Sequence, residues 1–280
     1  MDTLEAIRID LADYEYAGEG ANGVSYNHRY DPDVMLKLYR PGMVTQPLEE
    51  MQIARKVFET GIPTPEPGDY VTDGTRYGVR FRRIRDKVSY ARAVGDHPED
   101  VARYAEEFAE MCRGLHATHV DTALFECAKD RYARQLAENP FFTPAEKDRL
   151  LRFIQDAPDT DTAIHGDLQF GNAIFAGDAR YFIDLGDFCY GYPLFDVGMV
   201  YCTAFLSEPD FVREAFHMEP KTAVRFWQAF APVYFGTDRP LRDIESEVRP
   251  FAGLKTIIVE RDMGRPMPTL REALTSILQP

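Results

Sequence analysis

The sequence predicts an α+β protein of two lobes: a small, mainly antiparallel sheet lobe with one helix, then a larger, mainly helical lobe. Three observations predict it. Strand-like runs joined by tight turn signals fill the chain up to Arg85, apolar residues recur at helical spacing over most of the chain beyond it, and 280 residues exceed the span of an ordinary single core. The lobes are placed at residues 1–85 and 86–280.

In the first lobe, Val24 to Tyr30 and Val34 to Tyr39 are strand-like runs joined by the tight turn sequence Asp31-Pro32-Asp33. From Pro47 to Thr60, the residues Leu48, Met51, Ala54 and Phe58 recur at helical spacing, with Pro47 where a helix begins and Gly61 where it ends. After the stiff loop "IPTPEPG", the runs "DYVT" and "RYGVRFRRI" flank Asp73-Gly74, a strong hairpin signal. In the second lobe, Val101, Tyr104, Phe108, Met111 and Leu115 form an apolar stripe on a helix over residues 98–116, and another helix covers 122–138. "TPAE", Thr143 to Glu146, is a capping box with proline at the first helical position. "TAIHG" then interrupts as a short strand, "NAIF" and "YFIDL" make a hairpin around Gly177-Asp178, and the chain reads as helical from Pro193 onward.

Composition narrows the function. Acidic residues outnumber basic ones by 46 to 32, and a net charge of -14 repels polyphosphate backbones unless a local basic stripe exists. The arginines of "VRFRRIRDK" are the closest approach to one, and they read as a solvated strand edge or an anion contact, so no nucleic-acid partner is expected. Cys112, Cys127, Cys189 and Cys202 form neither a CxxC pair nor a cluster with histidine, which argues against a zinc site or a disulfide framework and suits a reducing cytoplasm. The N-terminus lacks a signal-peptide pattern and no apolar run is long enough to span a bilayer, so no membrane partner is expected either.

The chemistry-bearing residues fall into two groups. "GEGANG", Gly18 to Gly23, matches GxGxxG, a pattern shared by chance glycine turns and phosphate cradles. Strand sequence rather than a helix follows it, which favours a hairpin whose tip lies over nucleotide phosphates above a dinucleotide fold. In "VMLKLY", Lys37 is the one charged residue of an apolar strand; it either points to solvent or meets anions, and the hairpin brings it beneath the glycine turn. Glu49 and Glu50 on the next helix are candidate partners for it. The second group is "IHGDLQFGN". Asp167 and Asn172 share its short loop, and the following hairpin returns to end a strand at Asp184, which can lie across from Asn172. Facing oxygen donors suit a hard cation such as magnesium that bridges phosphate oxygens, with Asp167 left to orient a hydroxyl and accept its proton. His165 reads as an organiser of the loop, and Asp187 as a second metal ligand or a helix-start carboxylate, the latter preferred.

At these residues the chain resembles the protein-kinase-like phosphotransferases of the aminoglycoside phosphotransferase and choline kinase type. "HGDLQFGN" is similar to that family's catalytic loop, "FIDLGD" to its metal-binding segment and "YGYPLFDVG" to its following motif, from about Gly18 to Asp196. The resemblance implies a protein-kinase-like two-lobed fold with ATP or GTP between the lobes, and magnesium held by Asn172 and Asp184. It implies Asp167 as base, Asp196 as brace of the catalytic loop, and Glu50 as the partner of Lys37. It also implies phosphate contacts from Gly18, Gly20, Ala21, Asn22 and Gly23, and a hinge at Phe81, Arg82, Arg83 and Ile84 that bonds the base through its backbone. Where the family commonly has tryptophan after the metal aspartate, this chain has Leu185, a change expected to alter packing rather than coordination.

The expected function is therefore transfer of a γ-phosphoryl group to a hydroxyl of a small, cationic or sugar-like molecule. The rival readings are a protein kinase, against which stands the lack of an Ala-Pro-Glu segment after "DLG", and a non-catalytic nucleotide-binding regulator, against which stands the intact base and metal set. Acids (Asp210, Glu214, Glu260, Asp262) and aromatics (Phe205, Trp227, Tyr234) of the C-terminal helices are candidates for the acceptor site, with core and solvated surface the preferred reading of these residues at helical spacing. The sequence leaves the acceptor and the oligomeric state open.

Overall fold

The computed structural model describes residues 5–20 and 22–279. The chain divides into two compact units, Met1–Lys87 with Ile174–Asp187, and Val88–Ala173 with Phe188–Pro280. In chain order the first elements are β1 (Ile7–Arg8), β2 (Tyr14–Glu19), β3 (Gly23–His28), β4 (Val34–Tyr39), α1 (Gln46–Glu59), β5 (Pro67–Thr72) and β6 (Tyr77–Arg82). There follow β7 (Val88–Ser89), α2 (Tyr90–Asp96), α3 (Val101–His116), α4 (Ala128–Glu138), α5 (Pro144–Asp156), β8 (Ala163–Ile164), β9 (Ala173–Ala176), β10 (Ala179–Phe182) and β11 (Cys189–Tyr190). The remainder is helical: α6 (Leu194–Phe205), α7 (Pro209–Phe216), α8 (Pro220–Phe235), α9 (Leu241–Gly253), α10 (Lys255–Met263), α11 (Pro268–Glu272) and α12 (Thr275–Leu278).

The first unit is one sheet in the order β1-β5-β6-β4-β3-β2. Its pairings are antiparallel except that β1 runs parallel to β5, with Ile7 opposite Val71, so the sheet is mainly antiparallel, as the sequence indicates. Alternation along β4 sends Leu36 and Leu38 to one face, where they pack with Ile9, Tyr14 and Val71. The other face is covered by α1, whose Met51 packs with Tyr70 and Val79. The hairpin over residues 173–182, which the sequence assigns to the second lobe, belongs with this unit for two reasons: the Phe182 N–H donates to the Pro63 carbonyl at 2.8 Å, and α1 packs on the turn Leu185–Asp187.

The second unit is mainly helical, with α3 against α8 and α6 against α9. Its core is aromatic: Phe108, Phe170, Phe226 and Phe230 are fully buried, with ring centroids 4.3 Å apart for Phe170 and Phe226. The capping box at α5 forms as the sequence indicates, the Glu146 N–H donating to Thr143 Oγ1 at 3.3 Å and the Thr143 N–H to Glu146 Oε2 at 2.7 Å. One boundary departs from the sequence expectation. Helix α4 starts at Ala128, because Asp121 turns the chain by accepting the Ala123 N–H at 2.9 Å and its carbonyl the Leu124 N–H at 3.0 Å. The short strand at Ala163–Ile164 finds an antiparallel partner in Cys189–Tyr190. No helix among the described residues is long and apolar enough to cross a membrane.

The contact of α6 with α9 rests on Gly198 in α6, where an added Cβ would stand 2.7 Å from the Ala252 amide nitrogen and 2.8 Å from the Phe251 carbonyl carbon of α9. Backbone cannot swing aside as a side chain can, so Gly198→Ala is expected to destabilise by about 1–3 kcal/mol and lower Tm by several degrees in a thermal melt. An unchanged Tm would show that α6 and α9 do not meet this closely.

Candidate active site

Because strand residues alternate, the face of β4 opposite Leu36 and Leu38 carries Lys37, which is cross-strand neighbour to Ser25 on β3 and Val79 on β6. Helix α1 lies over that face, and Glu50, rather than Glu49, receives the ammonium: Nζ donates to Oε1 at 2.9 Å and to Oε2 at 3.0 Å. Tyr39 Oη also donates to Glu50 Oε2, and Lys37 Nζ contacts Asp184 Oδ1. Asp184 adopts a left-handed backbone conformation, with φ of 61°, which aspartate tolerates better than most residues. Burial by itself would pull the Lys37 pKa down, but the carboxylates of Glu50 and Asp184 outweigh it and hold the value above the ordinary 10.5. The Asp184 side chain is half exposed, whereas those of Lys37 and Glu50 are largely buried. Asp187 closes the short turn that starts at Leu185 and does not begin a helix; Leu185 is itself buried, as a packing residue should be.

The glycine segment forms the β2–β3 hairpin. The Gly20 N–H donates to the Gly23 carbonyl at 2.8 Å, and the Arg40 N–H donates to the Asn22 carbonyl at 3.0 Å. Ala21 lies outside the described residues. A Cβ at Gly23 would sit 2.2 Å from the Leu38 carbonyl oxygen, so sheet packing alone demands glycine there. Nothing stands within 4 Å of the corresponding position at Gly18, which packing leaves free. At the other side of the sheet, Phe81 and Arg82 end β6, with Arg83 and Ile84 just beyond. The Arg82 N–H donates to the Glu66 carbonyl at 2.8 Å and the Arg83 N–H to the Asp33 carbonyl at 2.7 Å, so both amides are committed.

In the second unit the segment Ile164 to Asn172 alternates buried anchors with polar groups. Leu168 and Phe170 are fully buried, Phe170 within the aromatic core, and this pins Asp167 and Asn172 on either side of them. Asn172 Nδ2 donates to the Asp167 carbonyl at 2.9 Å and to its Oδ2 at 3.0 Å. The Asp167 side chain keeps 39% of its surface open to solvent. His165, fully buried, does organise the loop: its Nδ1 accepts the Asp167 N–H at 3.3 Å.

The loop is braced from beneath by Asp196 on α6, which has no solvent exposure. Its Oδ2 accepts the His165 N–H at 2.6 Å and its Oδ1 the Gly166 N–H at 2.8 Å. His116 Nε2 lies 3.1 Å from the same Oδ2, and His116 Nδ1 lies 2.6 Å from the Tyr234 hydroxyl. Burial would raise the Asp196 pKa, but the bonds from His116 and the loop amide outweigh it, and the carboxyl is held below its ordinary 3.8.

Three residues of this network are hidden from sequence reasoning in whole or part. The sequence marks His116 only as the end of a helix and Tyr234 only as an acceptor-site aromatic. Lys255, the first residue of α10, donates to the Gly166 carbonyl at 3.1 Å and stands 3.5 Å from Asp167 Oδ1. Its signal is a lone lysine in the apolar run "GLKTIIV", the same signal that marks Lys37. Most other C-terminal candidates have structural partners. Glu260 is fully buried against Arg271, with contacts of 2.6 and 2.7 Å, Trp227 Nε1 donates to Glu245 at 3.1 Å, and Asp210 pairs with Arg213 at 2.8 Å.

Asn172 and Asp184, each within its own unit, offer oxygens of a kind that suits magnesium. With its Nδ2 turned to Asp167, Asn172 keeps its amide oxygen as an acceptor, and Asp184 already directs a carboxylate oxygen at a positive charge, the Lys37 ammonium. Carboxylate and amide oxygens are what this cation takes, completed by water and phosphate.

A family model described as the Phosphotransferase enzyme family matches residues 16–234. No curated protein sequence matches the chain. Among solved structures, the chain is similar to a thermostable mutant of aminoglycoside phosphotransferase APH(4)-Ia in ternary complex with ADP and hygromycin B, with a TM-score of 0.65, 13% identity, and 96% of this chain and 94% of that chain covered. It is similar to a choline/ethanolamine kinase family protein from Mesorhizobium loti, with a TM-score of 0.56, 16% identity, and 95% and 85% covered. It is also similar to aminoglycoside phosphotransferase APH(3'')-Id from Streptomyces rimosus, with a TM-score of 0.54, 18% identity, and 86% and 93% covered. At these identities the likeness shows the fold, which is the protein-kinase-like two-lobed one.

The Asp196 brace gives a pH-dependent prediction. A carboxyl whose pKa is lowered on folding contributes stability above its unfolded value, and that contribution is lost as pH falls through the folded value. Asp196→Asn is therefore expected to cost about 3 kcal/mol at pH 7. In thermal melts across pH, its deficit should hold steady down to the ordinary 3.8 and shrink only below it. A deficit that is small at pH 7, or that grows on acidification, would contradict the brace.

Proposed function

The chain belongs to the Phosphotransferase enzyme family, and we propose that it transfers the γ-phosphoryl group of ATP or GTP to a hydroxyl of a small molecule. One observation carries the proposal. Asp167 stands partly open to solvent on a loop whose neighbouring groups are tied down, with Oδ2 held by the Asn172 amide and Oδ1 3.5 Å from the Lys255 ammonium. A carboxylate so held orients an acceptor hydroxyl and takes its proton during in-line attack.

The other residues take their roles around that base. Lys37, anchored by Glu50, presents an ammonium to the nucleotide phosphates, and the hairpin from Gly18 to Gly23 covers them through its backbone. Asn172 and Asp184 each offer an oxygen of the kind magnesium takes, and the ion would supply charge neutralisation at the phosphates when bound. With the Arg82 and Arg83 amides committed to Glu66 and Asp33, recognition of the purine base falls to the carbonyl groups of residues 81–84 and to the Ile84 amide. Solved relatives in complex with ADP, AMP-PNP and GDP support a nucleotide donor and leave adenine and guanine both open. The acceptor is a hydroxylated amine or a sugar-like molecule; the relative in complex with hygromycin B supports a small-molecule acceptor over a protein. Four free cysteines suit a cytoplasmic enzyme.

Two measurements test the proposal. A thermal-shift screen with magnesium and nucleotide present, run across hydroxylated amines and sugars, identifies the acceptor through the stabilisation that a native-state ligand confers. With that acceptor, Asp167→Ala should keep its nucleotide affinity within about twofold while turnover falls about 10²- to 10⁴-fold, the range that general-base removal produces. Full activity in this variant would remove Asp167 from the mechanism.

A further inference from the structure

We propose that Lys255 is a positioning residue for the catalytic aspartate, setting the orientation of Asp167 through the peptide that precedes it; the proposal rests on the reading of Asp167 as base. The argument starts from cost. The Lys255 side chain is only 8% exposed, and withdrawing an ammonium from water costs several kcal/mol unless it is paired and bonded. Two of its partners belong to the catalytic loop: the Gly166 carbonyl at 3.1 Å and Asp167 Oδ1 at 3.5 Å.

The Gly166 carbonyl belongs to the peptide that joins Gly166 to Asp167. The N–H of that same peptide, from Asp167, donates to His165 Nδ1 at 3.3 Å. A peptide is planar, so holding its oxygen from one side and its N–H from the other fixes the plane, and with it the direction in which the Asp167 Cβ leaves the backbone. Gly166 lies at φ of +83°, a region that L side chains rarely adopt, and its own N–H is held by Asp196. Two buried groups of opposite charge therefore grip successive peptides of the loop, Asp196 by their N–H groups and Lys255 by a carbonyl. At the side chain, Asn172 restrains Oδ2 while Lys255 faces Oδ1, which limits rotation of the carboxylate.

The test uses the full chain with Lys255→Met, which keeps length and packing but not charge, and Lys255→Arg, which keeps charge. With magnesium, ATP and the acceptor from the screen, or water as acceptor where hydrolysis is the only turnover, Lys255→Met should lower kcat about 10- to 100-fold, the scale of a misplaced catalytic group. The Kd for magnesium–ATP should stay within about twofold, because the change acts on orientation and not on nucleotide binding, and Lys255→Arg should recover most of the lost kcat. Adding Lys255→Met to Asp167→Asn should cause little further loss, since a residue that acts through Asp167 has nothing left to act on. Unchanged kcat in Lys255→Met, a parallel rise in Kd, or full multiplication of the two losses would each overturn the proposal. Should Asp167→Asn itself leave turnover intact, the reading of Asp167 as base fails instead. The thermal melts then decide for Lys255 alone: Tm losses of the two single variants that do not add in the double variant support the contact, and additive losses refute it.

Discussion

A carboxylate with no exposure to water, Asp196, is the constraint from which the second unit's candidate site is built. An ion buried to that degree loses several kcal/mol of hydration. Hydrogen bonds to charged groups return about 1.5–3 kcal/mol each, so the His165 amide, the Gly166 amide and His116 together offset a loss that no one of them could. These bonds hold the loop around Asp167 in place. Each backbone group that turned away would leave a buried charge unsatisfied, and the loop cannot relax without that cost.

The first unit solves a similar problem with the opposite sign. There the buried charge is the Lys37 ammonium, and the side-chain alternation of β4 delivers it to the face that α1 covers. Glu50 holds it and Asp184 meets it from the hairpin, while Tyr39 steadies Glu50 from the same strand. In both units a strand or helix carries the charge and neighbouring segments supply the groups that bond it. Such an arrangement places functional groups more accurately than a mobile loop could.

Much of this is legible in the sequence because it is local. The capping box of α5, the hairpin turn at Asp73-Gly74, the lysine of an apolar strand and the HxDxxxxN spacing are all written within a few residues. The sequence is silent where the decisive partner is distant. The Lys255 ammonium reaches a loop 88 residues earlier in the chain, and a lone lysine in an apolar helix gives no hint of which carbonyl it will find. The parallel pairing of β1 with β5 and the union of Ala163–Ile164 with Cys189–Tyr190 are likewise products of tertiary closure. Periodicity starts α4 too early because Asp121 uses its side chain to cap a turn, a competition that helical spacing does not register. At Gly23, a place in a phosphate-loop pattern coincides with a steric demand from Leu38, so the motif there has two causes.

The reading of Asp167 as a base held in place for direct transfer is tested most directly by the stereochemistry at phosphorus. With a nucleotide whose γ-phosphorus is made chiral by oxygen isotopes, inversion of configuration is expected in the phosphorylated product, the outcome of one in-line displacement by a hydroxyl that Asp167 has activated. Retention would mean two displacements through a phosphorylated enzyme, with the carboxylate acting as nucleophile, and would contradict that reading.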